Sequence, residues 1–195
     1  MPLGAFKAAL MGTAGVSTGD VVLLHDTDYS NASAAAITSG IDSTYGEYIF
    51  RYYNINPATD AANWTFQGST NGGSSYGLTV TSTAFRAYHT EDDGTAALGY
   101  LTGRDLAQST DYIQVMYEVG NGADESVAGE IHLFNPASTT YVKHFYTRAS
   151  GMQEAPAATD WFSSGYFNTT SAVNAVNFKM SSGNFDGTIK MWGVK

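Results

Sequence analysis

Hydrophobic and polar residues alternate along short segments of this chain, and residues typical of turns separate the segments. The clearest case is ANWTFQGS, which begins at position 62. Its alternation predicts a strand in which Trp64 and Phe66 face the core, whereas Asn63, Thr65 and Gln67 face outward. A period of two is typical of a half-buried β-strand.

Ten segments of this kind follow one another after Gly19, and Gly, Asn, Asp and Pro lie between them. Short strands at this spacing predict an all-β, single-domain, antiparallel β-sandwich that resembles a jelly roll. We expect this domain to span residues 20–195, preceded by a short N-terminal arm at 1–19. The predicted strands are 21–26, 45–53, 62–69, 83–90, 97–102, 126–135, 140–147, 161–168, 175–181 and a last strand from 188. The predicted core residues are Trp64, Phe66, Ile131, Leu133, Phe178 and Ile189.

Three turns are predicted from local sequence. NINPATD at 54–60 and FNPASTT at 134–140 share Asn-Pro-Ala, which favours a turn because Pro fixes its own φ and restricts the residue before it. We interpret both as hairpin turns. Their similarity reflects either two similar sheet-forming halves of the chain or the independent use of a common turn. Asp186-Gly187 is predicted to be a turn before the last strand.

Composition excludes several classes of partner. The formal charge is −9, and the nine Lys and Arg residues are scattered, which argues against binding to nucleic acid or to an anionic membrane. No apolar stretch approaches about 20 residues, so we expect no membrane insertion. There is no cysteine, which excludes disulfides and thiolate metal sites.

Catalytic motifs are absent from the sequence, so we expect no enzyme activity, no cofactor and no required metal. Calcium, which prefers oxygen ligands, is the one exception that the sequence leaves open. The candidate ligands lie in HDTD at 25–28 and HTEDDG at 89–94, and they are Asp26, Asp28, Glu91, Asp92 and Asp93.

Two further sets of residues have more than one interpretation. His132 and His144 flank the second Asn-Pro-Ala turn, where a hairpin would make them cross-strand neighbours. They are either half of a metal site without an evident third ligand or polar residues on an outward face. Tyr53 and Trp192 face outward by alternation, which makes them candidates for stacking against a ligand.

The last strand and the region from 45 to 76 carry a family resemblance. GTIKMWG at 187–193 is similar to the closing Gly-Thr-Ile-x-Leu-Tyr-Gly strand of small β-rich bacteriophage virion proteins, with Met191 and Trp192 in place of Leu and Tyr. The upstream region shares a Tyr-rich strand, a Pro-Ala-Thr-Asp turn and a Gly-Gly pair before a Tyr. The matching residues there are Tyr45, Tyr48, Pro57, Ala58, Thr59, Asp60, Phe66, Gly72, Gly73 and Tyr76.

The resemblance covers about 41–195 and is strongest to structural proteins of marine and cyanobacterial phages. It implies a non-enzymatic virion component, assembled in the host cytoplasm, that belongs to a tail fibre, an appendage or a capsid decoration. It also implies a homo-oligomer, with the trimer favoured, and allows contact with host surface glycans. The alternatives are a free carbohydrate-binding module and a glycan-degrading enzyme.

The N-terminal arm is the expected attachment to other virion proteins. Leu3, Phe6, Leu10 and Met11 form an apolar stripe at helical spacing. A helix this short does not persist alone in water, so the stripe needs a surface to lie on. That surface is either the chain's own sandwich or a neighbouring protein.

Overall fold

The computed structural model describes residues 20–195, all of which lie in strands, turns or irregular segments. The predicted arm, with Leu3, Phe6, Leu10 and Met11, lies outside the described residues. Twelve strands form. They are β1 Val21–Ala32, β2 Ala35–Ile37, β3 Glu47–Pro57, β4 Ala62–Ser69, β5 Val80–Thr90, β6 Ala96–Tyr100, β7 Ile113–Val119, β8 Val127–Phe134, β9 Lys143–Met152, β10 Ala157–Phe167, β11 Ala175–Met180 and β12 Phe185–Val194.

Two antiparallel sheets face each other. The large sheet has eight strands in the order β1-β12-β3-β8-β9-β10-β5-β6, and the small sheet has four in the order β2-β11-β4-β7. Eight of the strands pair in a nested order: β1 with β12, β2 with β11, β3 with β8, and β4 with β7. This is the strand order of a jelly roll, so the predicted fold class is confirmed. The other four strands extend the large sheet beyond β8.

The core lies between the two sheets and is rich in aromatic rings. The six predicted core residues are each at most 1% exposed, which confirms them. Trp64 of the small sheet packs edge-on against Phe185 of the large sheet, with 4.8 Å between ring centroids, and stacks on Phe178 at 5.8 Å. Inward-facing aromatic side chains of this size account for much of the apolar surface that folding buries.

The outward face of β4 differs from the prediction. Thr65 and Gln67 were expected to face solvent, but they are 4% and 0% exposed. The Gln67 amide donates to the carbonyl oxygens of Leu78, Thr110 and Asp111, at 2.9–3.3 Å. These neighbouring segments cover the strand, and their carbonyls satisfy a polar side chain that would otherwise be costly to bury.

Two of the predicted turns are also corrected. The Asn-Pro-Ala turn after β8 is a hairpin to β9, as predicted, but the one after β3 carries the chain from the large sheet to the small one. Asp186 and Gly187 lie inside β12, at a register shift against β3. Gly187 has φ +146°, and a Cβ there would lie 2.9 Å from the Asn54 carbonyl oxygen. The dipeptide is therefore a bulge rather than a turn.

Candidate functional site: a trough on the outer face of the large sheet

The outer face of the large sheet carries one continuous row of side chains across all eight strands. We call it the cross-strand row. Its members follow from the strand registers and are, in order from β1 to β6, Asp26, Lys190, Arg51, Glu130, Arg148, Phe162, Phe85 and Tyr100. The half towards β1 is charged, and the half towards β6 is aromatic.

The charged half is held by ion pairs between neighbouring strands. Lys190 Nζ lies 3.0 Å from Asp26 Oδ2, and Arg51 Nε lies 3.4 Å from Glu130 Oε2. The hydrogen bond that Lys190 donates to Asp26 raises the pKa of Lys190. Exposed pairs of this kind contribute little to stability, so their groups remain available to a ligand.

The aromatic half contains a parallel stack of two rings. Phe85 and Phe162 lie 4.7 Å apart between centroids with an interplanar angle of 5°. The Arg148 guanidinium lies 5.1 Å from the centroid of Phe162 and also makes two hydrogen bonds to Asp160, at 2.8 and 3.1 Å. Arg148 therefore joins the two halves of the row.

Beside the row the sheet surface sinks into an open trough with a volume of about 730 Å³. Its floor consists of small outward-facing side chains on four adjacent strands, which leave the sheet backbone close to the surface. These are Ala128 on β8, Ser150 on β9, Ala158 on β10 and Ala87 on β5. The volume is typical of sites that bind small molecules.

The walls of the trough are polar and aromatic. The two arginine–carboxylate pairs Arg51–Glu130 and Arg148–Asp160 line it, together with Tyr53 and His89. Two arginines and two carboxylates balance each other in formal charge. The trough thus combines an uncharged floor, an aromatic wall and paired hydrogen-bonding groups.

The two aromatic residues predicted to face a ligand both lie on this outer face. Tyr53 is 37% exposed and lines the trough. Trp192 is half-buried one strand further towards β1, with the Arg51 guanidinium 5.9 Å from its ring centroid, and it does not line the trough. Contact of either ring with a ligand stays a prediction.

The carboxylates considered for calcium are separated into two groups by the width of the sheet. Asp26 and Asp28 lie on β1, where Asp26 pairs with Lys190 and Asp28 accepts a hydrogen bond of 2.6 Å from Thr188. The acidic turn, Glu91 to Asp93, joins β5 to β6 at the opposite edge. Within residues 20–195 no three histidine or carboxylate side chains are grouped so that they could hold a metal ion.

The two histidines of the β8–β9 hairpin are not direct neighbours. The register pairs His132 with Tyr146, so His144 is diagonal to it. The His132 ring stacks on Tyr146 at 4.4 Å, and its Nδ1 is hydrogen-bonded to Glu47. The interpretation as polar residues on an outward face fits this arrangement better than half of a metal site.

Sequence reasoning missed the trough and its charged walls. Alternation alone places Arg51, Glu130, Arg148 and Asp160 on outward faces, but it does not say which strands are neighbours or in what register. A run of small outward residues on several predicted strands was the one available indication.

The comparisons with known proteins give no family for this chain. No protein-family model matches it, and no curated protein matches it significantly. No helix among the described residues is long and apolar enough to cross a membrane.

Proposed function

We propose that this chain is a non-enzymatic structural subunit of a bacteriophage virion and that its trough contacts a host surface glycan. The subunit would be displayed on the outside of the particle, in a tail fibre, an appendage or a capsid decoration. The trough is the observation that carries the binding part of this proposal. The similarity of 45–76 and 187–193 to phage virion proteins supports the virion part.

The trough suits an uncharged oligosaccharide. A sugar ring has an apolar face, which fits the alanine floor and the ring of Tyr53, and a rim of hydroxyl groups. Hydroxyl groups both donate and accept hydrogen bonds, so an arginine beside a carboxylate satisfies them together. Because the wall charges balance, the site offers no excess of positive charge for an anionic ligand. Its open shape allows a chain of sugars to pass along the sheet.

The same geometry disfavours a glycan-degrading enzyme. Glycoside hydrolysis uses two carboxyl groups, one of which delivers a proton to the leaving oxygen. In the trough Glu130 is paired with Arg51, and Asp160 is held by two hydrogen bonds from Arg148. Both carboxylates are thus engaged in ion pairs that orient them for binding. A free carbohydrate-binding module would use the same trough, and only its absence from phage particles would distinguish it.

Filling the trough is expected to abolish glycan binding while leaving the fold intact. Ser150 is exposed at the centre of the floor, so Ser150→Trp would place a bulky ring where the ligand lies. Ser164→Trp is the matched control, because Ser164 is exposed on the same face but outside the trough. On an array of neutral host glycans we expect the wild type and the control to bind alike and Ser150→Trp to bind at least tenfold more weakly. Equal binding by both variants would place the ligand elsewhere.

Attachment to the particle is proposed to depend on the N-terminal arm, with the subunit present as a homotrimer. The residues from 20 to 195 form a sandwich around a contiguous hydrophobic core. Deleting residues 1–15 should therefore leave the circular dichroism spectrum and melting transition of the sandwich unchanged. Incorporation into phage particles, measured by immunogold labelling, should be lost. Full labelling with the truncated chain would show that the arm is not the anchor.

A further inference from the structure

Strand β6, which ends the large sheet, has the composition of a paired strand rather than of a free edge. All five of its residues are exposed, including Leu98 at 74% and Tyr100 at 53%. Its sequence, AALGY, contains no charged residue and no proline, and its register against β5 is continuous. Exposed edges are normally protected by charges, proline or bulges, because an open edge pairs readily with another chain.

The opposite edge of the same sheet shows these protections. Strand β1 carries Asp26 and Asp28 on its outer face, and its register against β12 shifts twice. Strand β6 therefore lacks the protections that the other edge of the same sheet carries.

Hydrogen bonds at the two ends of β6 establish which of its backbone groups are free. Thr90 N donates to Thr95 O, and Leu101 N donates to Ala84 O, each at 2.9 Å. Opposite residues on antiparallel strands alternate between hydrogen-bonded and non-hydrogen-bonded pairs, so Ala97 and Gly99 make their backbone hydrogen bonds to β5. The amide and carbonyl groups of Ala96, Leu98 and Tyr100 therefore point away from the sheet, where no described residue pairs with them.

We propose that β6 pairs antiparallel with β6 of a second copy of this chain, about a two-fold axis through Leu98. The free amide and carbonyl groups lie on alternate residues of β6, as hydrogen-bonded pairs in this register require. Leu98 would pair with its mate, and Ala96 with Tyr100 on either side, which makes about six hydrogen bonds. The two large sheets would then continue into one another.

The side chains of β6 are complementary in size in this register. Each Tyr100 lies opposite an alanine, so the large ring meets a small residue, and the two Leu98 side chains meet at the axis. Antiparallel pairing also sets the acidic turn of one copy, 91–93, beside the 102–105 turn of the other. That second turn carries Arg104, whose guanidinium lies 4.1 Å from the centroid of the Tyr117 ring, and Asp105, which accepts a hydrogen bond of 2.6 Å from Tyr100. This contact involves β6 and its two flanking turns, and it is independent of the association proposed for the arm.

The absence of cysteine allows a test that is specific for the register. In the full chain, Leu98→Cys would place two thiols at the axis with Cα atoms about 5.5 Å apart, within the range of a disulfide. Ala96→Cys is the matched control, because it is exposed on the same face but its mate would lie about 14 Å away.

Under mild oxidation at low protein concentration, we expect Leu98→Cys to form a covalent dimer on a non-reducing gel. It should form at least tenfold faster than with Ala96→Cys, while circular dichroism shows both variants folded. Equal rates for the two variants would indicate random collision and overturn the proposal. Failure of both to cross-link would overturn it as well.

Discussion

Replacing Trp64 by alanine is expected to lower the free energy of unfolding by about 3–5 kcal/mol. The side chain is fully buried, and its ring lies within 6 Å of the rings of Phe185, Phe178 and Tyr52. The contacts with Phe185 and Tyr52 join the small sheet to the large one, so the cavity would open in the middle of the sandwich. Chemical denaturation monitored by circular dichroism would measure this change as a shift in the denaturation midpoint, with the denaturant dependence m unchanged.

The control for this experiment is Trp192→Ala. Trp192 is half-buried on the outer face of the large sheet, where the Arg51 guanidinium lies 5.9 Å from its ring centroid. Trp192→Ala should lower the free energy of unfolding clearly less than Trp64→Ala does. A change below about 0.5 kcal/mol for Trp64→Ala, the range of ordinary surface positions, would contradict the assignment of the core.

Replacing Gly129 by alanine is expected to destabilise the protein by at least about 1–3 kcal/mol, the usual cost of overpacking. A Cβ at this position would lie 2.5 Å from the Arg148 carbonyl oxygen and 2.9 Å from the Ala149 Cα. Both are backbone atoms of β9, so the two strands would have to separate. Because Gly129 and Arg148 both line the trough, glycan binding should weaken together with the melting temperature.

Gly46→Ala is the matched control for the glycine substitution. No atom lies within 4 Å of the position that its Cβ would occupy, and the residue is exposed. Its melting temperature should stay close to that of the wild type. If Gly129→Ala melts at the same temperature as Gly46→Ala, the strands have more freedom to separate than the structure indicates.

The sequence predicts the strands and the core of this protein better than its surface. Alternation identifies Trp64 and Phe66 as buried because a strand between two layers has one face turned to the core. It fails at Gln67, because loops cover the outer face of this strand. A polar residue buried under such a loop has the same alternation pattern as one exposed to solvent. It also misses β2, which is only three residues long, and β7, which pairs with β4 through register shifts.

The candidate site was harder to predict because it depends on register. Tyr53 could be assigned to an outward face from one strand alone. The trough requires Ala128 and Ser150 to lie opposite each other on β8 and β9, with Asp160 next to them on β10. Each of those pairings joins separate strands, and local sequence does not specify their alignment.

The nested strand order also determines when the sandwich can be completed during synthesis. The described neighbour of β1 in the large sheet is β12, and the pair Asp28–Thr188 joins residues 160 positions apart. While the ribosome is still adding the intervening chain, β8, β9 and β10 can already form a meander from local contacts. The β1 strand and the open side of β3 must wait for β12. Such distant pairings slow folding, and a nascent chain stalled before β12 would expose the unpaired β1 and one open edge of β3 to aggregation or to chaperones.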